Sequence, residues 1–277
     1  MMKILLMTDL EGVAGVSDYD NWCCPESRFY DTACRLLTEE INAAVEGFLE
    51  GGATYVQVAD GHGYGGIDIE RLDSRVEYAR GWPQAWPFGL DDSYDGVAWV
   101  GQHAKASSEF AHLCHTQSFG YIDLTVNRVS IGEFGQLCLC AAELGVPAIF
   151  ASGDLALTCE AEALVPGIVT CAVKRGLMPG TGEECTAEEY RRRNQAAVHV
   201  PPARARVLIR EAAEAAVRRA ASSPPPLPLL APPFERVARF RPEEKGQPQT
   251  ISRESHPTSV IELMRLPFNP QPPPYAQ

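Results

Sequence analysis

The sequence predicts an α/β fold: a mostly parallel sheet flanked by helices, with a smaller C-terminal lobe. Three observations predict it. Apolar strand-like runs alternate with helical patterns, the arrangement that builds a parallel sheet covered on both faces. Three of the runs end abruptly in metal-capable side chains, and the ligand crevice of an open α/β sheet lies outside the carboxyl ends of its strands. Past residue 180 the chain turns to arginine-bearing helical patterns and proline-rich stretches. Residues 1–180 are therefore expected to form an α/β metal-binding core, and residues 181–277 a helical and proline-rich C-terminal lobe, either separate or part of the same compact unit.

The elements follow in order. Lys3-Ile4-Leu5-Leu6-Met7-Thr8 is a buried strand running into Asp9-Leu10-Glu11-Gly12. Residues 31–50 carry an apolar stripe of Leu36, Leu37, Ile41, Ala44, Val45, Phe48 and Leu49, and Gly51-Gly52 stops this helix. Residues 54–59 are a strand leading to Asp60-Gly61-His62, and residues 96–101 another leading to Gln102-His103. A helix over 136–144 closes at Gly145, and strands are expected over 147–152 and 168–173. A glycine-containing connection over 175–182 leads to helices over 187–198 and 203–221. Proline-rich residues 222–233 and 267–274 read as a linker and a tail, with a strand over 234–240 and a short helix over 260–266. No internal repeat is visible.

The strand ends carry the chemistry. Side chains alternate along a strand, so Asp9 and Glu11 share a side if the extended geometry persists. Two like charges placed together repel, and a divalent cation compensates them well. Asp9 taken alone is equally a turn or N-cap residue. His62 and His103 follow the other two strands, and His112, Cys114 and His115 lie in the segment after His103. Glu133 precedes the third helix, where the macrodipole by itself favours a carboxylate.

Composition bounds the function. The chain has 277 residues and a net charge of −12, which argues against general nucleic-acid binding. No apolar run is long enough to span a bilayer. No charged-then-apolar leader precedes the first strand. Nine scattered cysteines lack the paired spacing of a structural zinc site, and Cys138 and Cys140 read as small core residues. A cytoplasmic location is expected. The arginines of the 203–221 helix (Arg204, Arg206, Arg210, Arg218, Arg219) interleave with Glu211 and Glu214, as on a solvated face.

In these motifs the chain resembles the DppA-type D-aminopeptidases, a family of metallopeptidases. The resemblance runs through Thr8-Asp9-Leu10-Glu11-Gly12, Asp60-Gly61-His62, Gly101-Gln102-His103-Ala104-Lys105-Ala106-Ser107 and Cys114-His115-Thr116. It continues over residues 127–135, Ala151-Ser152-Gly153-Asp154, Glu160-Ala161-Glu162 and Thr170-Cys171-Ala172-Val173-Lys174, most of residues 2–175. The resemblance implies that Asp9, Glu11, His62, His103 and Glu133 hold two zinc ions per chain, with Asp9 bridging. His115 matches the family's catalytic residue. It also implies a small peptide substrate with an N-terminal D-amino acid, and a ring-like homo-oligomer, for which a decamer is one size. The residues themselves carry no mark of stereochemistry.

The chemistry of the residues agrees. Carboxylate and imidazole suit zinc, manganese or cobalt. A single catalytic zinc takes three protein ligands, so five fit two metals better. The sequence departs from the family pattern at Thr8 and at Cys114, where a serine is familiar, and one extra residue before His115 gives His112 a claim to the same role. Two other functions use the same ligands: a binuclear hydrolase of a non-peptide amide or phosphoester, for which Lys105 and Lys174 are the candidate cations, and a metal-containing assembly protein without catalysis.

Overall fold

The computed structural model describes residues 2–80 and 85–272. The elements up to the third helix are β1 (Lys3–Thr8), α1 (Tyr19–Trp22), α2 (Tyr30–Gly51), β2 (Tyr55–Asp60), β3 (Glu77–Arg80), β4 (Gly96–Gln102), β5 (Tyr121–Val126), β6 (Val129–Ser130) and α3 (Glu133–Glu143). There follow β7 (Ala148–Asp154), α4 (Leu155–Leu164), β8 (Val169–Gly176), α5 (Ala187–Arg193), β9 (Ala197–His199), α6 (Pro202–Ser222), β10 (Phe234–Phe240), β11 (Thr250–His256) and α7 (Val260–Arg265).

Seven strands form one sheet in the order β3-β2-β1-β4-β7-β8-β9. All neighbours are parallel except β8 and β9. The predicted α/β class is the observed one. Strand β1 is central, with β2 on one side and β4 on the other, so the strand order reverses there. That reversal is where an open parallel sheet leaves a crevice at the carboxyl ends of its strands.

Alternation along β1 explains why both faces are covered. Ile4 and Leu6 point into a core shared with α2 and α6 through Leu37, Ile41, Phe48, Ile209 and Ala213. Leu5 and Met7 enter a second core with Trp99, Phe134, Leu137 and Leu157. A strand buried on both faces reads as a continuous apolar run, which is how residues 3–7 read. Helix α2 ends as its sequence promised, with Gly52 at φ +108° closing the last turn through bonds to Leu49 and Phe48 carbonyls.

A second, antiparallel sheet has the order β11-β10-β5-β6. Helix α3 lies between the two sheets. Phe134, Leu137, Cys138 and Ala141 face the first sheet's core, and Leu139 and Cys140 face a third core with Leu124, Ala238, Leu263 and Met264. That position accounts for a helix apolar nearly all round. The strand over 234–240 and the short helix near 260–266 are present as β10 and α7.

Several expectations need correction. The helix expected over 187–198 stops at Arg193, and residues 197–199 form β9 on the edge of the first sheet. Helix α3 starts at Glu133 rather than residue 136. Strands β3, β5, β6 and β11 lie outside the expected elements; β3 and β6 are short and β11 is strongly polar, as Thr250-Ile251-Ser252-Arg253 shows, whereas β5 (Tyr121–Val126) carries a strand-like alternation that the expected elements leave out. Residues 273–274 of the expected proline-rich tail lie outside the described residues. Past residue 180, β9 and α6 join the first sheet's layers, while β5 and β6 pair with β10 and β11. The arginine face of α6 is tied to α2 by Arg206–Glu39 and Arg210–Glu50 pairs. Among the described residues, no helix is long and apolar enough to cross a membrane.

The α2–α6 contact is close enough to need a glycine. A Cβ added to Gly47 would lie 2.2 Å from the Arg210 carbonyl oxygen and 2.9 Å from the Ala213 Cβ. Alanine normally stabilises a helix interior by about 1 kcal/mol over glycine. Here the obstacle is backbone, so overpacking, worth roughly 1–3 kcal/mol, outweighs that gain. Gly47→Ala is expected to lower the urea midpoint at unchanged slope; a raised midpoint would refute this packing.

Candidate metal centre

Three strands of the first sheet deliver the site. Beyond β1 the chain does not stay extended: it turns, and the Gly12 N–H bonds the Gly101 carbonyl at 2.7 Å. The turn, not strand alternation, aims Asp9 and Glu11 together. The approach requires glycine, because a Cβ on Gly12 would sit 2.2 Å from the Gln102 carbonyl oxygen. His62 follows β2, His103 follows β4, and Glu133 opens α3. All five side chains, with His115, converge at the crevice.

The distances show how. Asp9 lies between two imidazoles: Oδ1 is 3.3 Å from His62 Nδ1, and Oδ2 is 3.2 Å from His103 Nε2. Glu11 Oε2 is 3.2 Å from His62 Nδ1, and Glu133 Oε1 is 3.5 Å from His103 Nε2 and 3.9 Å from His115 Nε2. Two groups result, each with ligand atoms within 4.8 Å of one another: Asp9, Glu11 and His62; and His103, His115 and Glu133. His115 is closer to the second group than a residue wholly outside the metal shell would be. Its ring stacks on His103 with centroids 3.9 Å apart.

Backbone carbonyls fix each histidine. His62 Nε2–H donates to the Cys23 carbonyl at 2.8 Å, His103 Nδ1–H to Ala104 at 2.9 Å, and His115 Nδ1–H to Leu113 at 2.9 Å. A carbonyl only accepts, so those nitrogens carry protons; the opposite nitrogens of His62 and His103 face the carboxylates, protonated without a cation and able to offer a lone pair to one. This is the usual anchoring of metal-ligating histidines.

A cation fits the donor set. Glu11 Oε2 and His103 Nε2 are buried without a hydrogen-bond partner; their close neighbours are misaligned for one. Orphaned buried polar atoms are costly, and one such atom lies in each of the two ligand groups, where a cation would satisfy it. The charges point the same way. Burial opposes ionisation of Asp9, yet contact with His103 and His62 holds its carboxyl well below the usual range. Burial likewise opposes the imidazolium of His62, but Glu11 and Asp9 raise its pKa well above the ordinary value. His103 is raised against burial by Glu133 and Asp9. Without metal, protonated histidines balance the carboxylates. His115 differs: burial and then His103 lower its pKa, so it stays neutral.

The other expected candidates are elsewhere. His112 is fully buried, its Nε2–H shared between the Ser17 and Gln195 carbonyls, and burial pushes its pKa down to about 2. It does not line the cavity at the site, whereas His115 does. Cys114 Sγ is 3.1 Å from Tyr190 Oη and accepts from Asn194 Nδ2 at 3.3 Å. Lys105 donates to Ser130 Oγ, and buried Lys174 to the Glu11 and Val16 carbonyls.

Sequence reading missed the supporting residues. Gln102 Nε2 donates to Asp9 Oδ2 at 3.0 Å, and the Gln117 N–H donates to Glu133 Oε1 at 2.6 Å. Glu160, buried on α4, accepts from Lys105 N and Gly132 N, both at 2.9 Å, tying the segment after His103 to the start of α3. Gln102, as the neighbour of His103, and Glu160, in the Glu160-Ala161-Glu162 motif, had a signal, but not for the contacts they make; Gln117 had none.

A pH test follows from the ligand protons. Divalent transition metal binding near pH 7 is expected to release about one proton per imidazolium displaced. Affinity should fall with pH, because protons then hold the same lone pairs. Calorimetry in buffers of different protonation enthalpy measures both; constant affinity between roughly pH 5 and 8 would remove His62 and His103 from the ligand set.

Comparison with known proteins adds lineage to geometry. The D-aminopeptidase from Bacillus subtilis (strain 168) is 31% identical over 179 residues, 63% of this chain and 64% of that protein's length. The chain therefore matches just under two thirds of that relative. The solved structure of the Zn-dependent D-aminopeptidase DppA from Bacillus subtilis, described as a self-compartmentalizing protease, superposes with a TM-score of 0.80. That match covers 95% of this chain and 94% of the other at 23% identity, a shared fold. The sequence profile of the D-aminopeptidase family of peptidases matches residues 2–247, and the chain belongs to that family.

Proposed function

We propose that this protein is a zinc-dependent aminopeptidase that cleaves short peptides or aminoacyl amides with an N-terminal D-amino acid. In this reading Asp9, Glu11, His62, His103 and Glu133 hold two zinc ions, and His115 is the catalytic residue. The observation that carries it is Asp9, whose two oxygens face His62 and His103 separately, the disposition of a carboxylate shared between two cations. The D-aminopeptidase family and the zinc-dependent solved relative support the metal and the reaction.

When bound, such a metal pair polarises the scissile carbonyl and acidifies water at neutral pH. The chain's own groups do the rest. Asp9 and Glu11 balance the positive charge. His115, neutral and protonated at Nδ1 against the Leu113 carbonyl, can take a proton at Nε2 and, once protonated there, return it or donate a hydrogen bond to a developing oxyanion. Gln102 holds Asp9 Oδ2 in place. No lysine or arginine is among the described residues lining the cavity, which weighs against a phosphoester substrate.

The same reading extends to assembly and location. We take residues 181–277 as part of the same compact unit as residues 1–180. The self-compartmentalizing character of the solved relative supports a ring-like homo-oligomer here, with a decamer as the size to test by light scattering. Nine free cysteines support a reducing cytoplasm.

The decisive experiment is a panel of D- and L-aminoacyl amides, with a phosphoester alongside, on protein of measured metal content. Turnover of the D-amides supports the reading; full metal with no turnover would leave an assembly protein. Asp9→Asn should lose both ions, since a neutral amide cannot balance two cations, and full occupancy in that variant would sink the two-metal assignment. His62→Ala and Glu133→Ala should each lower occupancy and, through linkage, thermal stability. Unchanged metal and melting in both would make them structural residues.

His115 and His112 separate by kinetics. His115→Ala should keep metal and assembly but lower kcat by roughly 10²–10⁴, the worth of one acid–base or oxyanion group. His112→Ala should reduce stability while leaving kcat within several-fold. The reverse pattern would transfer the role to His112.

A further inference from the structure

The candidate metal ligands line only part of a cavity of about 240 Å³. Beside Thr8, Tyr19, Tyr64, Gln102 and Gln117, the rest carries an apolar wall: Met7, Trp86, Phe88, Trp99 and Leu137. We propose that this wall receives the side chain of the substrate's N-terminal residue, and that the enzyme prefers an apolar residue of leucine or phenylalanine size over a charged or very small one. The proposal rests on the aminopeptidase reading above and adds the substrate class.

Four observations carry it. First, the wall is continuous with the core: Met7, Phe88, Trp99 and Leu137 are all at most 8% exposed, and the Trp86 ring lies 4.4 Å from Phe88. Packed residues of this kind do not collapse into the cavity. Second, the elements that carry the metal candidates also carry the wall. Met7 precedes Asp9 by two residues at the end of β1, Trp99 precedes His103 from β4, and Leu137 follows Glu133 by one turn of α3. The distance from metal to wall is thereby set by strand and helix geometry.

Third, the charges exclude alternatives. The ionisable groups among the described lining residues are Asp9, Glu11, His62, His115, Glu133 and two tyrosines. With these carboxylates turned to the metal site, a charged side chain placed against the wall, acidic or basic, would lose its water without gaining a partner. Fourth, the volume is below the roughly 300–1,000 Å³ of a drug-sized ligand site, enough for one residue and its cleaved bond. A small side chain would leave apolar surface uncovered, and each missing methylene weakens discrimination in such a pocket.

The test uses the zinc-loaded full chain and D-aminoacyl amides of alanine, leucine, phenylalanine, lysine and glutamate. We expect kcat/KM for leucine and phenylalanine to exceed alanine by roughly 10–100-fold, with lysine and glutamate below alanine. Trp86→Ala should lower the leucine and phenylalanine values about tenfold more than the alanine value, and Trp86→Leu should restore the leucine preference. Equal values across the panel, or a preference for lysine or glutamate, would overturn the proposal. Calorimetric binding of the five free D-amino acids gives a readout without turnover. If no amide is cleaved but leucine and phenylalanine bind best, the pocket stands and the hydrolase reading fails; if binding is also unranked, both fail.

Discussion

Everything at the crevice depends on negative charge gathered at the end of one buried strand. Asp9 and Glu11 are 5% and 2% exposed, and Glu133 reaches them from α3. In a low-dielectric interior that arrangement cannot stand without positive partners. The imidazoles of His62 and His103 supply them when protonated, and a metal replaces those protons when bound. The rest of the sheet makes the gathering possible. Because β1 is flanked by β2 and β4, three strand ends open on one point, and each brings a ligand from a different stretch of sequence.

Much of this was legible in the sequence, for a definite reason. A strand buried on both faces is a run of apolar residues, and a run that stops at Asp9 or His103 marks both its own end and the crevice. Helix α2 was readable because its stripe and its Gly51-Gly52 stop agree. What was hidden was whatever needed a partner to exist. Strand β11 shows no apolar alternation in Ser252-Arg253-Glu254-Ser255, because its buried Arg236–Glu254 pair with β10 takes the place of an apolar contact. Residues 197–199 continue a helical pattern, yet pair with β8 once the chain turns at Asn194.

The site divides along the same line. The five expected ligands and His115 meet in space while His112 does not, but the reason for Asp9 and Glu11 meeting is a turn locked to Gly101, which no periodicity could reveal. The supporting residues are further from view. Glu160 stood in a motif, but its contacts to Lys105 and Gly132 did not show; Gln117 and the wall residues Trp86 and Phe88 act through contacts that single-chain patterns do not carry.

The surrounding carboxylates show how the protein concentrates charge where a cation would sit. Glu40 accepts from Ala14 N at 2.9 Å, Asp60 from Gly66 N at 3.0 Å, Asp154 from His112 N at 2.8 Å, and Glu160 from Lys105 and Gly132. Each ties down a backbone segment beside the crevice. Burial raises the pKa of all four, Glu40 to about 8, while Asp9 and Glu133 are held low by the histidines. Environments that push carboxyl groups apart in this way assign them different work. Glu40, pushed up to about 8, still accepts the Ala14 N–H through its carbonyl oxygen, so it braces a loop while adding little charge. The ionised ones face the point where a cation can balance them. Glu133 does both, bracing the Gln117 N–H while facing His103, so the difference lies in the partners: burial opposes charge on the four outer carboxyls, and the histidines favour it on Asp9 and Glu133, where a cation can balance it.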